Sequence, residues 1–472
     1  MGGSLSELRA LGHRVVDLLA DHLQDPPSPV MPALTGVQAS ALFSSEMPEA
    51  GSDDVDGAVV ATLQRVIGAA TKLHHPGFIG HQVATPLPAA AVCDFVDALL
   101  NNGMAIFEMG KAGTAIERAV LSWLAAQLGL PSSSSGVLTS GGSLGNLTAL
   151  LAARQAKGDD PWKRGVRGQP LVVFVADTAH YSVSRAAHIM GLGDEGCVAV
   201  DVDDRLRLSI PALNAAIDKA LKQKKRPIAV VASAGSTAAG AWDPLNAVAD
   251  VCAARGLWFH VDGAHGAPLA LLPERAEQVR GLERADSVVV DFHKMLLMPA
   301  LVTAVLFRDP RAGAAAFAQK AGYLFDDDDD GWTDVGRRTV ECTKKMLGLK
   351  VWTCLQAYGV AFFREHLRAC CAKTLLLARL ISEHPELELL VEPESNILCF
   401  RVRGRDGGVN AGIRQAIVDD GAFYCVQVHL HARGVASVRQ GLWLRTTILN
   451  PRTTEQHLRA FVDDVVARAG AV

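Results

Sequence analysis

No apolar run in this chain approaches the roughly 18 residues that a membrane span requires, and no charged stretch followed by an apolar block stands at its start. A membrane role is therefore not expected, and the cytoplasm is the expected compartment. Cysteine is sparse and unpatterned: nine in 472 residues, with no Cys-x-x-Cys and one adjacent pair, Cys370-Cys371. Such spacing suits neither a disulfide framework nor a zinc site, so reduced core cysteines and no metal are expected. A basic surplus is also lacking. The net charge of −4 leaves nothing to neutralise nucleic-acid phosphates, and the one basic cluster, Lys219 to Arg226, reads as the exposed end of a helix. Internal repeats and long low-complexity tracts are absent.

What the chain does have is core material. Hydrophobic residues make up 49% and charged residues 20%, which excludes global disorder, and the length allows up to about three domains. Ser287-Val-Val-Val-Asp291-Phe-His293-Lys294 reads as a buried strand ending in a His-Lys pair. A lysine at the mouth of a buried strand is partly desolvated; that lowers its pKa, and a neutral amine can condense with a carbonyl. About 30 residues earlier, Leu257-Trp-Phe-His-Val-Asp262-Gly-Ala264-His265 ends a second buried run in an aspartate. Alone, either residue reads as a rim lysine or a capping aspartate. Together they match the needs of pyridoxal phosphate, an amine for the aldehyde and a carboxylate for the pyridinium nitrogen.

Other segments fit the same rim. Gly136-Val-Leu-Thr-Ser-Gly141-Gly142-Ser143-Leu-Gly145-Asn146 leads into a helix, and small residues with free N–H groups at a helix start can cradle a phosphate. A plain helix start capped by serine is the alternative. The spacing is not Gly-x-Gly-x-x-Gly and no Gly-Lys-Ser/Thr follows, which disfavours dinucleotide and P-loop readings. His180 follows the strand Pro170 to Ala176, where an imidazole either stacks on a flat ring or caps a helix. Ala234-Gly-Ser236-Thr237 sets hydroxyls at another strand end.

In order, Ser4-Leu-Ser-Glu7 forms a capping box for an amphipathic helix carrying Leu8, Leu11, Val15, Leu18 and Leu19. Asp25-Pro-Pro-Ser-Pro stops it, and a polar linker runs to about Asp56. The loop from Leu73 to Gln82 collects three histidines, which either line a pocket or satisfy each other at the surface. A helix spans Thr114 to Leu128. Strands and helices then alternate: Val198 to Asp201 strand, Ser209 to Lys222 helix, Ile228 to Ala232 strand, Leu245 to Ala254 helix, and a helix near Glu274 to Gly281. This order predicts an α/β fold with a mostly parallel, doubly wound sheet whose ligand rim collects His180, Thr237, Asp262 and Lys294. After the strand Thr303 to Phe307, Tyr323 to Trp332 reads as an acidic loop, either solvated or a lid. A helix from Lys344 to Tyr358 leads to a small α+β domain with a helix from Glu365 to Ile381, strands Glu388 to Val391, Ile397 to Val402 and Leu442 to Thr447, and a helix from Thr454 to Ala467. The expected organisation is a helical arm and linker (1–70), a large domain (71–350) and a small C-terminal domain (351–472).

On these residues, from His75-Pro76 to Leu444-Arg445-Thr446, the chain resembles the group II pyridoxal-phosphate decarboxylases, which include aromatic amino acid, glutamate, cysteine-sulfinate and diaminobutyrate decarboxylases of fold type I. The resemblance implies a fold type I PLP-dependent enzyme with a homodimer interface at its site and α-decarboxylation of an L-amino acid. It implies that Lys294 holds the cofactor covalently with His293 as its companion, that Asp262 partners the ring nitrogen with Ala264 under the ring, and that His180 stacks on the ring. Gly142, Ser143 and Thr237 match phosphate and ring contacts. Two positions depart from the pattern. The family's loop tyrosine, the usual proton donor, has no counterpart except Tyr323 at the loop's start, which makes His180 a candidate acid; and Lys344 stands where an arginine often follows the loop. His81, Gln82 and His265 stand where aromatic decarboxylases carry aromatic residues, and with Lys344 they are the expected substrate contacts, implying a polar or acidic substrate. Alternative outcomes are an oxygen-consuming decarboxylation that yields an aldehyde, and a catalytically silent binding protein on the same fold. Intact Lys294, Asp262 and His180 weigh against the second.

Overall fold

The computed structural model describes residues 5–24, 29–317, 333–436 and 439–470. The acidic loop with Tyr323, the capping Ser4 and the proline-rich stop at 25–28 lie outside the described residues. Seven strands form the larger sheet: β1 (Ser135–Thr139), β2 (Leu171–Ala176), β3 (Cys197–Val200), β4 (Arg226–Ser233), β5 (Trp258–Asp262), β6 (Ser287–Asp291) and β7 (Thr303–Phe307). They lie in the order β1-β7-β6-β5-β4-β2-β3. All pairings from β3 through to β6 are parallel, whereas β7 runs antiparallel to both β1 and β6. Successive residues point to opposite faces, and both faces are covered: Val288 and Val290 enter one apolar layer and Val289 the other. That double burial explains why these strands read as unbroken apolar runs. The architecture is the mostly parallel, doubly wound α/β sheet of fold type I.

Register decides what reaches the rim. Ser233 at the end of β4 pairs with Asp262 at the end of β5, and Asp262 pairs with Val289, so β6 extends two residues further, to Asp291. The helix Gly142–Lys157 lies on the sheet against β6 and β7. A Cβ on Gly145 would stand 3.1 Å from the Thr303 methyl and 3.3 Å from Val289, so any larger residue would push on the sheet and glycine eases this approach.

The second sheet, β8 (Leu387–Leu389), β9 (Ile397–Val402), β10 (Val426–Leu430) and β11 (Gly441–Thr447), is antiparallel in the order β10-β11-β9-β8. Its core joins Phe400 and Leu444 to Phe461 of the helix Glu455–Gly470. The helix Gly407–Asp420 and strand β10 escaped the sequence reading, although Val409, Ile413 and Ile417 recur at helical spacing and Val426-Gln-Val-His-Leu430 alternates. The former is marked by Asp406, whose side chain accepts from the Val409 N–H at 2.9 Å. The helix expected from Glu274 to Gly281 is reduced to short turns, Pro273–Arg275 and Ala276–Val279, because Arg280, with ψ 126°, turns the chain extended before Gly281. The two helices expected after Lys344 form one element, Gly348–Glu383, broken only at Gly359.

Lys344 precedes that helix because its ammonium is drawn into the interior. It sits 2.8 Å from Glu117 Oε1 and also bonds the Leu138 carbonyl, while the same carboxylate oxygen accepts the Leu138 N–H at 2.9 Å. Both side chains are almost fully buried, so removing one strands the other charge. Lys344→Met is expected to lower unfolding stability by roughly 3–5 kcal/mol, measured by urea denaturation. Three further ionisable groups are buried without charge. Burial pushes the imidazoles of His260 and His366 down to about 4 and that of His265 to about 3, from 6.5. Between 6.5 and these values the unfolded chain binds more protons, so stability falls as pH drops through that window. Urea titrations at pH 7 and 4.5 are expected to show this loss, and His366→Leu should lessen the slope by up to about one proton.

Candidate active site

The carboxyl ends of β4, β5 and β6 and the start of the helix Gly142–Lys157 enclose a cavity of about 250 Å³. Lys294, three residues past β6, and Asp262, at the end of β5, both line it. So do Gly142, Ser143, His180, Thr237, Ala264, His265 and His293. Nine of the residues singled out from the sequence thus converge from five segments of the chain.

Lys294 Nζ lies 2.8 Å from Asp291 Oδ2, and His293 Nε2 lies 3.6 Å from the same oxygen. Burial alone would push the Asp291 carboxyl up, but Lys294, His293 and the Thr303 hydroxyl outweigh it and hold the group below the usual carboxylate range. Asp262 accepts from Asn146 Nδ2 at 3.0 Å and from the Ala264 N–H at 3.2 Å. Donors of this kind favour the ionised carboxylate, the form that can face a protonated ring nitrogen. His180 is held through Nδ1 by the Ser182 hydroxyl at 2.8 Å. Its pKa is lowered chiefly by burial, with Lys294 acting in the same direction. His265 directs Nε2 to Asn396 Oδ1 at 2.7 Å.

Two lining atoms, Ser236 Oγ and His265 Nδ1, are buried with no hydrogen-bond partner among the described residues. A bound molecule would satisfy them. Gly141 has φ 112°, a Cβ on Gly142 would stand 3.1 Å from both Asp291 carboxylate oxygens, and the cavity is lined here by the first turn of a 16-residue helix, whose N–H groups have no intrahelical partner. An amine, an ionised acid, an imidazole and a backbone anion cradle fit pyridoxal phosphate by their chemistry.

Three expected substrate contacts do not join them. Lys344 is corrected to an interior ion pair with Glu117, because both its burial and its partners face away from this cavity. His81 is exposed, its ring 5.7 Å from that of Tyr424, and neither it nor Gln82 lines the cavity; the Phe78 segment is instead bridged to Tyr424 beside β10. Sequence reasoning quoted Asp291 and Asn146 within their motifs without assigning them a role, placed Ser236 only among the hydroxyls at a strand end, and gave Ser182 no role. Asn146 stands four residues after Gly142, one helical turn on, a spacing that marks the same face. Arg445 was quoted too; it is buried, donates to the Thr237 carbonyl at 2.7 Å, and keeps Nε without a partner among the described residues.

Comparison with known proteins places these residues in context. An aromatic-L-amino-acid decarboxylase of Bacillus atrophaeus is 29% identical over 99% of this chain and 97% of its own. An L-2,4-diaminobutyrate decarboxylase of Rhizobium meliloti (strain 1021) is 31% identical over 89% of this chain and 83% of its own. The crystal structure of mouse CSAD superposes with a TM-score of 0.91 at 26% identity, covering 99% of both chains. Residues 41–403 match the pyridoxal-dependent decarboxylase conserved domain. The chain therefore belongs to the pyridoxal-dependent decarboxylase family, enzymes that use pyridoxal phosphate to remove carbon dioxide from amino acids.

Proposed function

We propose that this enzyme decarboxylates a polar or acidic L-amino acid to its amine, with Lys294 as the covalent cofactor lysine and Asp262 as the partner of the ring nitrogen. The observation that carries the assignment is the convergence of these two residues, from neighbouring parallel strands, on one cavity. Pyridoxal phosphate, when bound, supplies the electron sink for the bond broken at the substrate α-carbon. Asp291 orients the Lys294 amine and neutralises it in the resting protein. Asp262, fixed by Asn146 and the Ala264 N–H, holds a proton on the ring nitrogen and so deepens the sink. His180 covers the ring, while Gly142, Ser143 and Thr237 receive the phosphate and the ring edge. Ser236 Oγ remains to bind a ligand oxygen, and His265 Nδ1, whose ring hydrogen sits on Nε2 toward Asn396 Oδ1, remains to accept from a ligand donor.

The substrate reading rests on the lining. Among the described residues no Phe, Tyr or Trp lines the cavity, and Arg445 stands behind Thr237 with a spare N–H. Relatives include enzymes named for diaminobutyrate, cysteine sulfinic acid and acidic amino acids. We also propose a homodimer. Val92, Phe95, Leu99 and Leu100 of the helix Pro88–Leu100 are each more than half exposed, a contiguous apolar surface of the sort that subunit contact buries. All nine cysteines are unpaired, which suits the reducing cytoplasm. The chain is read as dividing into an arm (1–70), a large domain (71–350) and a small domain (351–472).

Borohydride reduction of the holoenzyme should label Lys294 alone, and Lys294→Ala should remove the label and the activity; a label elsewhere overturns the assignment. Asp262→Ala is expected to lower kcat by on the order of 100-fold or more while leaving the label in place. A panel scored for carbon dioxide, amine and peroxide should give amine in step with carbon dioxide, fastest with aspartate, glutamate or diaminobutyrate. Faster turnover of tryptophan or phenylalanine derivatives sinks the substrate reading, and peroxide matching carbon dioxide replaces the amine with an aldehyde. Light scattering should give twice the chain mass; a fully active monomer refutes the dimer.

A further inference from the structure

Behind the Asp262 side of the cavity lies a line of buried polar side chains: Asn146, Ser182, His260, Ser287 and Trp258. The direction of every hydrogen bond in it follows from chemistry. An ionised carboxylate only accepts, so the amide atom 3.0 Å from Asp262 Oδ2 is Asn146 Nδ2, whose second hydrogen goes to Ser182 Oγ at 2.8 Å. Asn146 Oδ1 then meets His260 Nε2 at 3.0 Å and requires a hydrogen there. His260 Nδ1 consequently accepts from Ser287 Oγ at 2.8 Å, and Ser287 accepts the Trp258 indole N–H at 2.8 Å. At the other end Ser182, having accepted from Asn146, gives its hydroxyl hydrogen to His180 Nδ1 at 2.8 Å. The Ser182 backbone N–H points at the same nitrogen from 3.2 Å. Two donors on one ring nitrogen leave no place for a hydrogen on it.

We propose that Asn146 is a positioning residue that joins Asp262 and His180 into one directional network, anchored by His260, and fixes His180 as the tautomer with its hydrogen on Nε2. The cavity then meets a histidine that donates and cannot serve as a base. His180 offers a hydrogen to an acceptor such as a carboxylate oxygen of the ligand, and the same amide that sets this tautomer also holds the carboxylate meant for the ring nitrogen. The inference rests on the reading of Asp262 and His180 given above, but the tautomer is a property of the protein without cofactor.

That separates the two tests. In histidine-labelled protein, with and without pyridoxal phosphate, nitrogen NMR at neutral pH should show the His180 hydrogen on Nε2, the signal being assigned by its loss in His180→Gln. Asn146→Asp keeps the shape, removes both donors and sets a second carboxylate beside Asp262. It is expected to weaken cofactor binding at least about tenfold, measured by titrating the apo-protein with pyridoxal phosphate, and to mix the tautomers. Ser182→Ala removes the hydroxyl link to Asn146 but keeps the backbone N–H on His180 Nδ1, so it should weaken the tautomer preference without abolishing it while leaving cofactor affinity near that of the wild type; it also serves should Asn146→Asp fail to fold. A merely structural role would lower stability without moving the tautomer. A hydrogen on Nδ1 in the wild type, or an unchanged tautomer in the variants, overturns the inference even if Lys294 takes the borohydride label. The expected tautomer without that label overturns the functional reading and leaves the network standing.

Discussion

Asp262 is a carboxylate withdrawn almost entirely from water, and much of the neighbouring structure serves to compensate it. An unpartnered charge in that position would cost several kcal/mol. Its donors come from its own turn, the Ala264 N–H, and from Asn146 on the helix Gly142–Lys157. For Asn146 to reach it, the helix must lie close to β6 and β7, which the missing side chain at Gly145 allows. The same placement brings the backbone of Gly142 and Ser143 to the cavity. One electrostatic requirement thereby sets both the Asp262 end and the Gly142 end of the cavity.

Charge within the cavity is unevenly shared. Lys294 is the only cationic side chain among the described lining residues, and it is paired with Asp291 in a cavity that Asp262 also lines, while burial keeps His180, His265 and His293 low in pKa. A phosphate placed here would depend on backbone N–H groups, hydroxyls and the helix dipole, since among the described residues no arginine or second lysine lines the cavity. Charge is thus held by hydrogen-bond geometry more than by ion pairing, which makes the site sensitive to neutral residues such as Asn146 and Ser182.

The parts of the site that lay in strand-to-turn motifs were readable in advance. Buried strands produce apolar runs, and a polar residue at the end of such a run has few places to go except the rim, so Lys294, Asp262, His180 and Thr237 could be brought together from order alone. Lys344, His81 and Gln82 could not, because their placement hangs on loops whose course is set by partners far away. Lys344 finds Glu117, 227 residues distant in the chain, and the segment carrying His81 and Gln82 is tied to Tyr424. The helix expected near Glu274 failed for a local reason, the extended backbone of Arg280, whereas the helix Gly407–Asp420 carries its stripe at Val409, Ile413 and Ile417 and was legible but not read.

By itself the sequence determined the alternation of strands and helices, the chemical identity of the amine and the acid, and the small residues that let backbone approach a ligand, because each of these is a local property of composition and spacing. The tertiary structure decided which polar side chains share hydrogen bonds. Asn146 meets His260 and Asp262 from more than 100 residues away, and only the packing of a helix on a sheet settles which hydrogen points where.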